Sequence, residues 1–221
     1  MSLQDEIKIL RKFFPEPAVN SVLESLHQHQ IQLRFSRSRS SKLGDFRPAA
    51  AGKPYRISLN HDLNPYEMLI TWVHEIAHLH AFKKYGRRHQ PHGNEWKQLF
   101  GELMKPYLAL GIFPDDIKEE LYQYLYKSGA TNGSDLHLRR LLKNYNANAT
   151  AMVHTVESLP LNALFRLPDG RVFQKLEQRR KRFKCLCMND KRYYLFSPIA
   201  VVVPIDGQNS NQSVYLTKKN I

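Results

Sequence analysis

Apolar residues recur at helical spacing in two runs near the start of the chain: Ile7, Leu10 and Phe13, then Val19, Val22, Leu23 and Leu26. The spacing predicts one helix that ends before Pro15 and a second from Ala18 to His27. The pattern then alternates. Ile31-Gln32-Leu33-Arg34-Phe35 reads as a strand, a second strand runs from Leu43 to Arg47, and a third covers Tyr55-Arg56-Ile57-Ser58-Leu59. Next comes the longest apolar stripe, Met68, Leu69, Trp72, Val73, Ile76 and Leu79, on a helix opened by Asn64-Pro65-Tyr66-Glu67. Asn64 can cap, Pro65 suits the first helical position, Glu67 can reach back as in a capping box, and Gly86 is a stop. Thr71, His74, Glu75 and His78 fall on the flanking arc, expected at the edge of a cleft rather than in the core. The result is a small sheet packed on helices, an α+β arrangement.

Beyond Phe100 the periodicity weakens. A helix begins at Pro114-Asp115-Asp116 and runs through Leu121, Tyr124 and Leu125. Gly129 to Ser134 breaks it, Leu136 to Leu142 starts another, and Asn144 to Thr150 reads as a linker. Strands follow at Leu164–Leu167, Arg171–Phe173, Phe183–Cys187, Tyr193–Phe196 and Ile199–Val203, a small antiparallel sheet or barrel. The domain reading is therefore a first domain over 1–113, a helical connector over 114–150, a small basic β module over 151–206 and a flexible tail over 207–221.

The chemistry concentrates in His74-Glu75-Ile76-Ala77-His78. Two histidines four apart on a helix project from one face, so both imidazoles can reach a single ion. Glu75 flanks that ion and can take a proton from metal-bound water, acting first as general base and later as acid. The third ligand is open to several candidates. His80 lies about 200 degrees around the helix from His78 and points away. His89 falls in a basic loop after Lys83-Lys84-Tyr85-Gly86-Arg87-Arg88, and the position six after His78, where a metzincin has histidine, is Lys84. His92 is preferred, entering from the start of the next helix, with Glu95 and Glu102 as carboxylate alternatives. The loop residues Tyr85, Arg87 and Arg88 offer oxyanion donors without singling one out.

The helix His74-Glu75-Ile76-Ala77-His78, the loop, and His92-Gly93 with Trp96 and Lys97, preceded by Leu43-Gly44 and Ile57-Ser58-Leu59-Asn60, resemble the SprT-like zinc metallopeptidase domain. That domain is shared by bacterial SprT proteins and by the eukaryotic Spartan protease, which degrades DNA–protein crosslinks. The resemblance covers roughly residues 5 to 110. It implies a zincin-like catalytic domain with His74, His78 and His92 as ligands of one Zn2+, Glu75 as the catalytic residue, and the 43–47 strand as the sheet edge beside the cleft, where substrate backbone can bind by strand addition. Many SprT-like proteins add a zinc ribbon built from paired cysteines, but Cys185 and Cys187 are the only cysteines here and cannot close a four-ligand site. The β module is expected in the ribbon's place, without a second metal or a Cys185–Cys187 disulfide, and with one of the two cysteines buried.

Composition adds a partner class. Net charge is +13 over 221 residues, and Arg171 to Arg192 carries nine basic residues against Glu177 and Asp190. Arg179, Arg180, Lys181, Arg182 and Lys184 lie at its centre, with Phe173, Phe183, Tyr193, Tyr194 and Phe196 interleaved. Cations beside rings suit a nucleic-acid surface, although a hairpin with core aromatics would alternate in the same way. A second basic run, Arg34, Arg37, Arg39, Lys42 and Arg47, lies near the expected cleft. No segment approaches membrane-spanning length and the first residues lack a secretion signal, so a cytoplasmic location is expected. Two functions remain. One is a zinc metallopeptidase cleaving protein or peptide substrates, with its basic module recruiting it to DNA or DNA-bound proteins. The other is a nucleic-acid-binding protein whose zinc site is structural or vestigial. The intact Glu75 favours the first, since a structural site needs no base.

Overall fold

In a computed structural model of the protein, residues 2–39, 42–50, 52–88, 90–127, 134–146 and 154–205 are described. They form six α-helices and two sheets in two compact units, Met1–Ala147 and Asn148–Ile221. His89, the break over 129–133, most of the 144–150 linker and the 207–221 tail lie outside the described residues.

The first unit begins with α1 (Leu3–Leu10) and α2 (Val19–Gln28), followed by strands β1 (Ile31–Ser36), β2 (Gly44–Arg47) and β3 (Tyr55–Asn60). β3 is the middle strand, parallel to β1 and antiparallel to β2, so β2 is an edge. Alternation places Ile57 and Leu59 inward, both fully buried. The long helix α3 (Pro65–Tyr85) packs on β2 and β3 with one side and on α4 (Asn94–Ala109) with the other.

That sandwich changes the character of α3. Ten of its 21 residues are buried, and these include Thr71 and Glu75 as well as the apolar stripe. The expectation that the His74–Glu75 arc lies outside the core is corrected for Thr71 and Glu75, because β2 lies over them. At the start of α3 the Asn64 carboxamide accepts from the Glu67 N–H at 3.0 Å. Glu67 is half-buried and is pushed above the usual carboxylate range by that burial, with Arg139 and Lys143 opposing the shift.

The helices read as a connector belong to the first unit. α5 (Asp115–Tyr122, continued by a π-helical turn Gln123–Lys127) and α6 (Ser134–Lys143) contribute Ile117, Leu121, Leu138 and Leu142 to the same buried cluster as α3. Their attachment is polar as well. Asn64 donates to the Leu142 carbonyl at 2.8 Å and to Asn146 Oδ1 at 2.9 Å, tying the end of α6 to the start of α3.

The second unit is a five-stranded antiparallel sheet, β4 (Leu164–Arg166), β5 (Val172–Arg179), β6 (Arg182–Cys187), β7 (Tyr193–Phe196) and β8 (Val203–Ile205), in the order β7-β6-β5-β4-β8. The last strand begins only at Val203, where the predicted 199–203 segment ends. Cys185 and Cys187 are both free and fully buried, which corrects the expectation of a single buried cysteine. Strand positions two apart share a face, so both thiols enter the core with Phe165 and Phe173.

Both tryptophans, Trp72 and Trp96, are in the first unit, so their fluorescence reports its unfolding alone. Asn64→Ala is expected to destabilise that unit by about 1–3 kcal/mol, by removing a helix cap and the two side-chain hydrogen bonds that tie α3 to the end of α6. Denaturant unfolding followed by tryptophan emission measures it.

Candidate metal centre and cleft

Three imidazoles converge at one end of the sandwich. The Nε2 atoms of His74 and His78 are 3.2 Å apart, those of His78 and His92 3.0 Å, and those of His74 and His92 3.1 Å. A tetrahedral centre with metal–nitrogen bonds of 2.0–2.1 Å has ligand–ligand edges of about 3.3 Å, so this triangle fits one face of a zinc coordination sphere. Burial, and then the charges of His78, His92 and Arg139, lower the His74 pKa to about 3, which keeps that imidazole in the neutral form a metal requires. Among the described residues these three histidines are the group whose side chains could jointly hold an ion.

The two helical histidines are placed by the i, i+4 spacing on α3. The third is placed by backbone strain: His92 has φ 60, in the left-handed region that a side chain other than glycine occupies at a cost of about 1–2 kcal/mol. It sits in a turn closed by the Gly93 N–H donating to the Gln90 carbonyl at 3.0 Å, and α4 starts immediately afterwards. Trp96, in the first turn of α4 and 1 % exposed, lies under all three rings, with centroids 4.6, 5.2 and 4.7 Å from those of His74, His78 and His92. It is itself stacked on Phe100 at 5.2 Å. The other ligand candidates are elsewhere. His80 packs on His29, Glu95 is exposed, and Glu102 accepts from Gln98 on the outer side of α4.

Glu75 stands beside the cluster, 5 % exposed. Burial raises its carboxyl to about 7 and the negative Asp45 adds to the rise, against the Phe46 backbone N–H, Lys42 and Arg39, which pull it down. Its position depends on an absent atom. A Cβ on Gly44 would lie 2.5 Å from Glu75 Oε1 and 2.8 Å from both Glu75 Cγ and Thr71 Cγ2. Glycine at 44 therefore lets β2 close directly on the carboxyl. Sequence reasoning met Gly44 and Trp96 only as family markers and missed Asp45 and Phe46. The one available signal was a glycine inside a predicted strand, which marks close approach of another group.

A cleft of about 510 Å³ opens onto this arrangement, lined by His74, Glu75, His78 and His92 together with Lys42, Asp45, Phe46 and Arg87. Tyr85, also considered as an oxyanion donor, lies under Lys84 instead. A second groove of about 530 Å³, between α1, α2 and β1, is largely apolar, with the Glu6–His27 pair as its charged feature.

The five basic residues singled out in the second unit lie around the exposed β5–β6 turn. Arg179 pairs with Glu177 at 2.7 Å, and Lys184 is 3.9 Å from the same carboxylate and 4.0 Å from the Tyr193 ring centroid. Of the interleaved aromatics, Phe173, Phe183, Tyr194 and Phe196 face the core. Tyr193, 61 % exposed, is the one left on the surface.

The model of the SprT-like family matches residues 12–116, a span that holds β2, all three histidines and Glu75. No curated protein matches the chain, and neither does any solved structure.

Two outcomes follow from the geometry. Zinc titration of His92→Ala should show affinity reduced by more than about a hundredfold, since loss of a ligand exceeds the effect of an outer partner, while His80→Ala binds as wild type. Gly44→Ala should cost about 1–3 kcal/mol of first-unit stability through overpacking, with zinc affinity close to wild type because no ligand is touched.

Proposed function

We propose, from the premise that residues 12–116 belong to the SprT-like family, that the protein is a zincin-like, zinc-dependent metalloendopeptidase acting on protein substrates, with DNA-associated proteins as the candidate class. The observation that carries this reading is Glu75. A structural metal site has no use for a carboxyl buried beside the ligands with a pKa raised to about 7. Zinc, when bound, lowers the pKa of water to about 7 and polarises a carbonyl.

The chain's own residues would share the remaining work. Glu75 takes up a proton at neutral pH and can return it to the leaving amine. β2, an edge strand along the cleft, offers backbone groups to an extended substrate by strand addition. Arg87 on the cleft wall offers a donor to the negative charge that develops on the attacked carbonyl. Arg179, Arg180, Lys181, Arg182 and Lys184 supply phosphate-neutralising charge for recruitment to DNA. No described helix is long and apolar enough to cross a membrane, and two free thiols suit a reducing cytoplasm.

The second reading, a nucleic-acid-binding protein with a structural or vestigial zinc site, draws on the same basic turn and leaves the burial of Glu75 without a purpose. Glu75→Gln separates the two. The variant should bind zinc as wild type and lose about 10²–10⁴-fold in cleavage of an unfolded protein substrate, assayed with and without DNA. Wild type that cleaves nothing under either condition, while fully loaded with zinc, leaves the second reading standing.

A further inference from the structure

The outer face of the three-stranded sheet carries charge that the first unit does not neutralise. Leu33, Phe35 and Phe46 pack on the core beside the buried Ile57 and Leu59, so the alternate positions of the three strands point outward. The register sets these side by side. Arg47 is opposite Arg56, which is opposite Gln32, and Asp45 is opposite Ser58, which is opposite Arg34. Arg39 lies across the same face, donating from Nε to Asn60 Oδ1 at 2.8 Å and from a terminal nitrogen to the Ser58 carbonyl at 3.3 Å.

Like charges directly opposite on a sheet are destabilising. Asp45 is the one carboxylate at these positions, and its two oxygens are already taken by Lys42 and Arg47. No ion pair engages Arg34 or Arg56 among the described residues. Stability does not explain an opposed arginine pair with so little acid around it; an external polyanion does. Guanidinium groups also match phosphate bidentately, which lysine cannot do.

We propose that this sheet face binds the phosphate backbone of DNA. β2 gives the face a place in the mechanism, because the strand that presents Arg47 outward also supplies Gly44 and Phe46 to the wall that confines Glu75. DNA held on the face therefore runs along the rim of the cleft, where a protein bound to that DNA meets the edge strand. The contact belongs to the first unit itself, uses no residue of the second, and does not depend on the cleft being hydrolytic.

The test uses the full chain and a short fluorescein-labelled duplex, with anisotropy measured over a salt series. Arg34→Gln/Arg56→Gln should weaken binding about tenfold near 0.1 M salt and lower the slope of log K against log salt by about 1.8, the signature of two lost phosphate contacts. Arg34→Lys/Arg56→Lys should recover the slope. A pair of equal charge on α4 and α5, Lys105→Gln/Lys118→Gln, should leave affinity within about threefold of wild type. The proposal is overturned if the glutamine pair on the sheet binds like wild type with an unchanged slope, or if the lysine pair on the helices is equally damaging, which would reduce the effect to net charge. Tryptophan unfolding controls for folding. If the glutamine pair unfolds, the exposed single Arg34→Gln carries the test with half the slope change. A catalytically silent wild type would leave this binding result intact, so the two readings fail separately.

Discussion

A carboxyl group survives in a protein interior only when protein groups replace its water, and Glu75 is held there between α3 and the edge strand β2, with the Phe46 N–H and nearby Lys42 and Arg39 in place of solvent. Much of the first unit is arranged to make that possible. β2 can close on the carboxyl because residue 44 has no side chain. α3 presents Glu75 at a fixed height because it is gripped on both sides, by the sheet and by α4, and tied at its start through Asn64 to α6. The burial in turn sets the chemistry, since a carboxyl lifted to about 7 exchanges protons near neutral pH.

The histidine cluster uses a different means to the same end. Two of its histidines ride on the rigid α3, where helical spacing alone aligns them, and the third comes from a strained turn whose left-handed residue is His92 itself. Trp96 and Phe100 support the three rings from below, which restricts imidazole rotation without using hydrogen bonds. Rigid support of this kind is what a catalytic constellation needs if its groups are to stay within about 0.5 Å of their working positions.

How much of this the sequence disclosed depended on the range of the interaction. The His74–His78 pair and the Asn64 cap were legible because each is a local pattern, and the β2 edge only through the family resemblance. The burial of Thr71 and Glu75 was not, since it depends on a strand some thirty residues away having glycine at one position. The α5 and α6 helices read as a connector because short amphipathic segments look alike whether they bridge units or complete a core; only the packing of Ile117 and Leu142 distinguishes them. The aromatics of the second unit misled for the opposite reason, alternation along a strand, which sends Phe173 and Phe196 inward and leaves Tyr193 outside. The opposed Arg47 and Arg56 became visible only with strand register, which a single sequence does not specify.

The proposed chemistry requires one metal held by His74, His78 and His92, with the cysteines taking no part. X-ray absorption at the zinc edge of the full, zinc-loaded chain tests this most directly. It should show a light-atom first shell at about 2.0–2.1 Å with the multiple-scattering pattern of three imidazoles and no sulfur. A sulfur shell at about 2.3 Å, or a zinc that keeps that pattern when His92 is replaced, would contradict it.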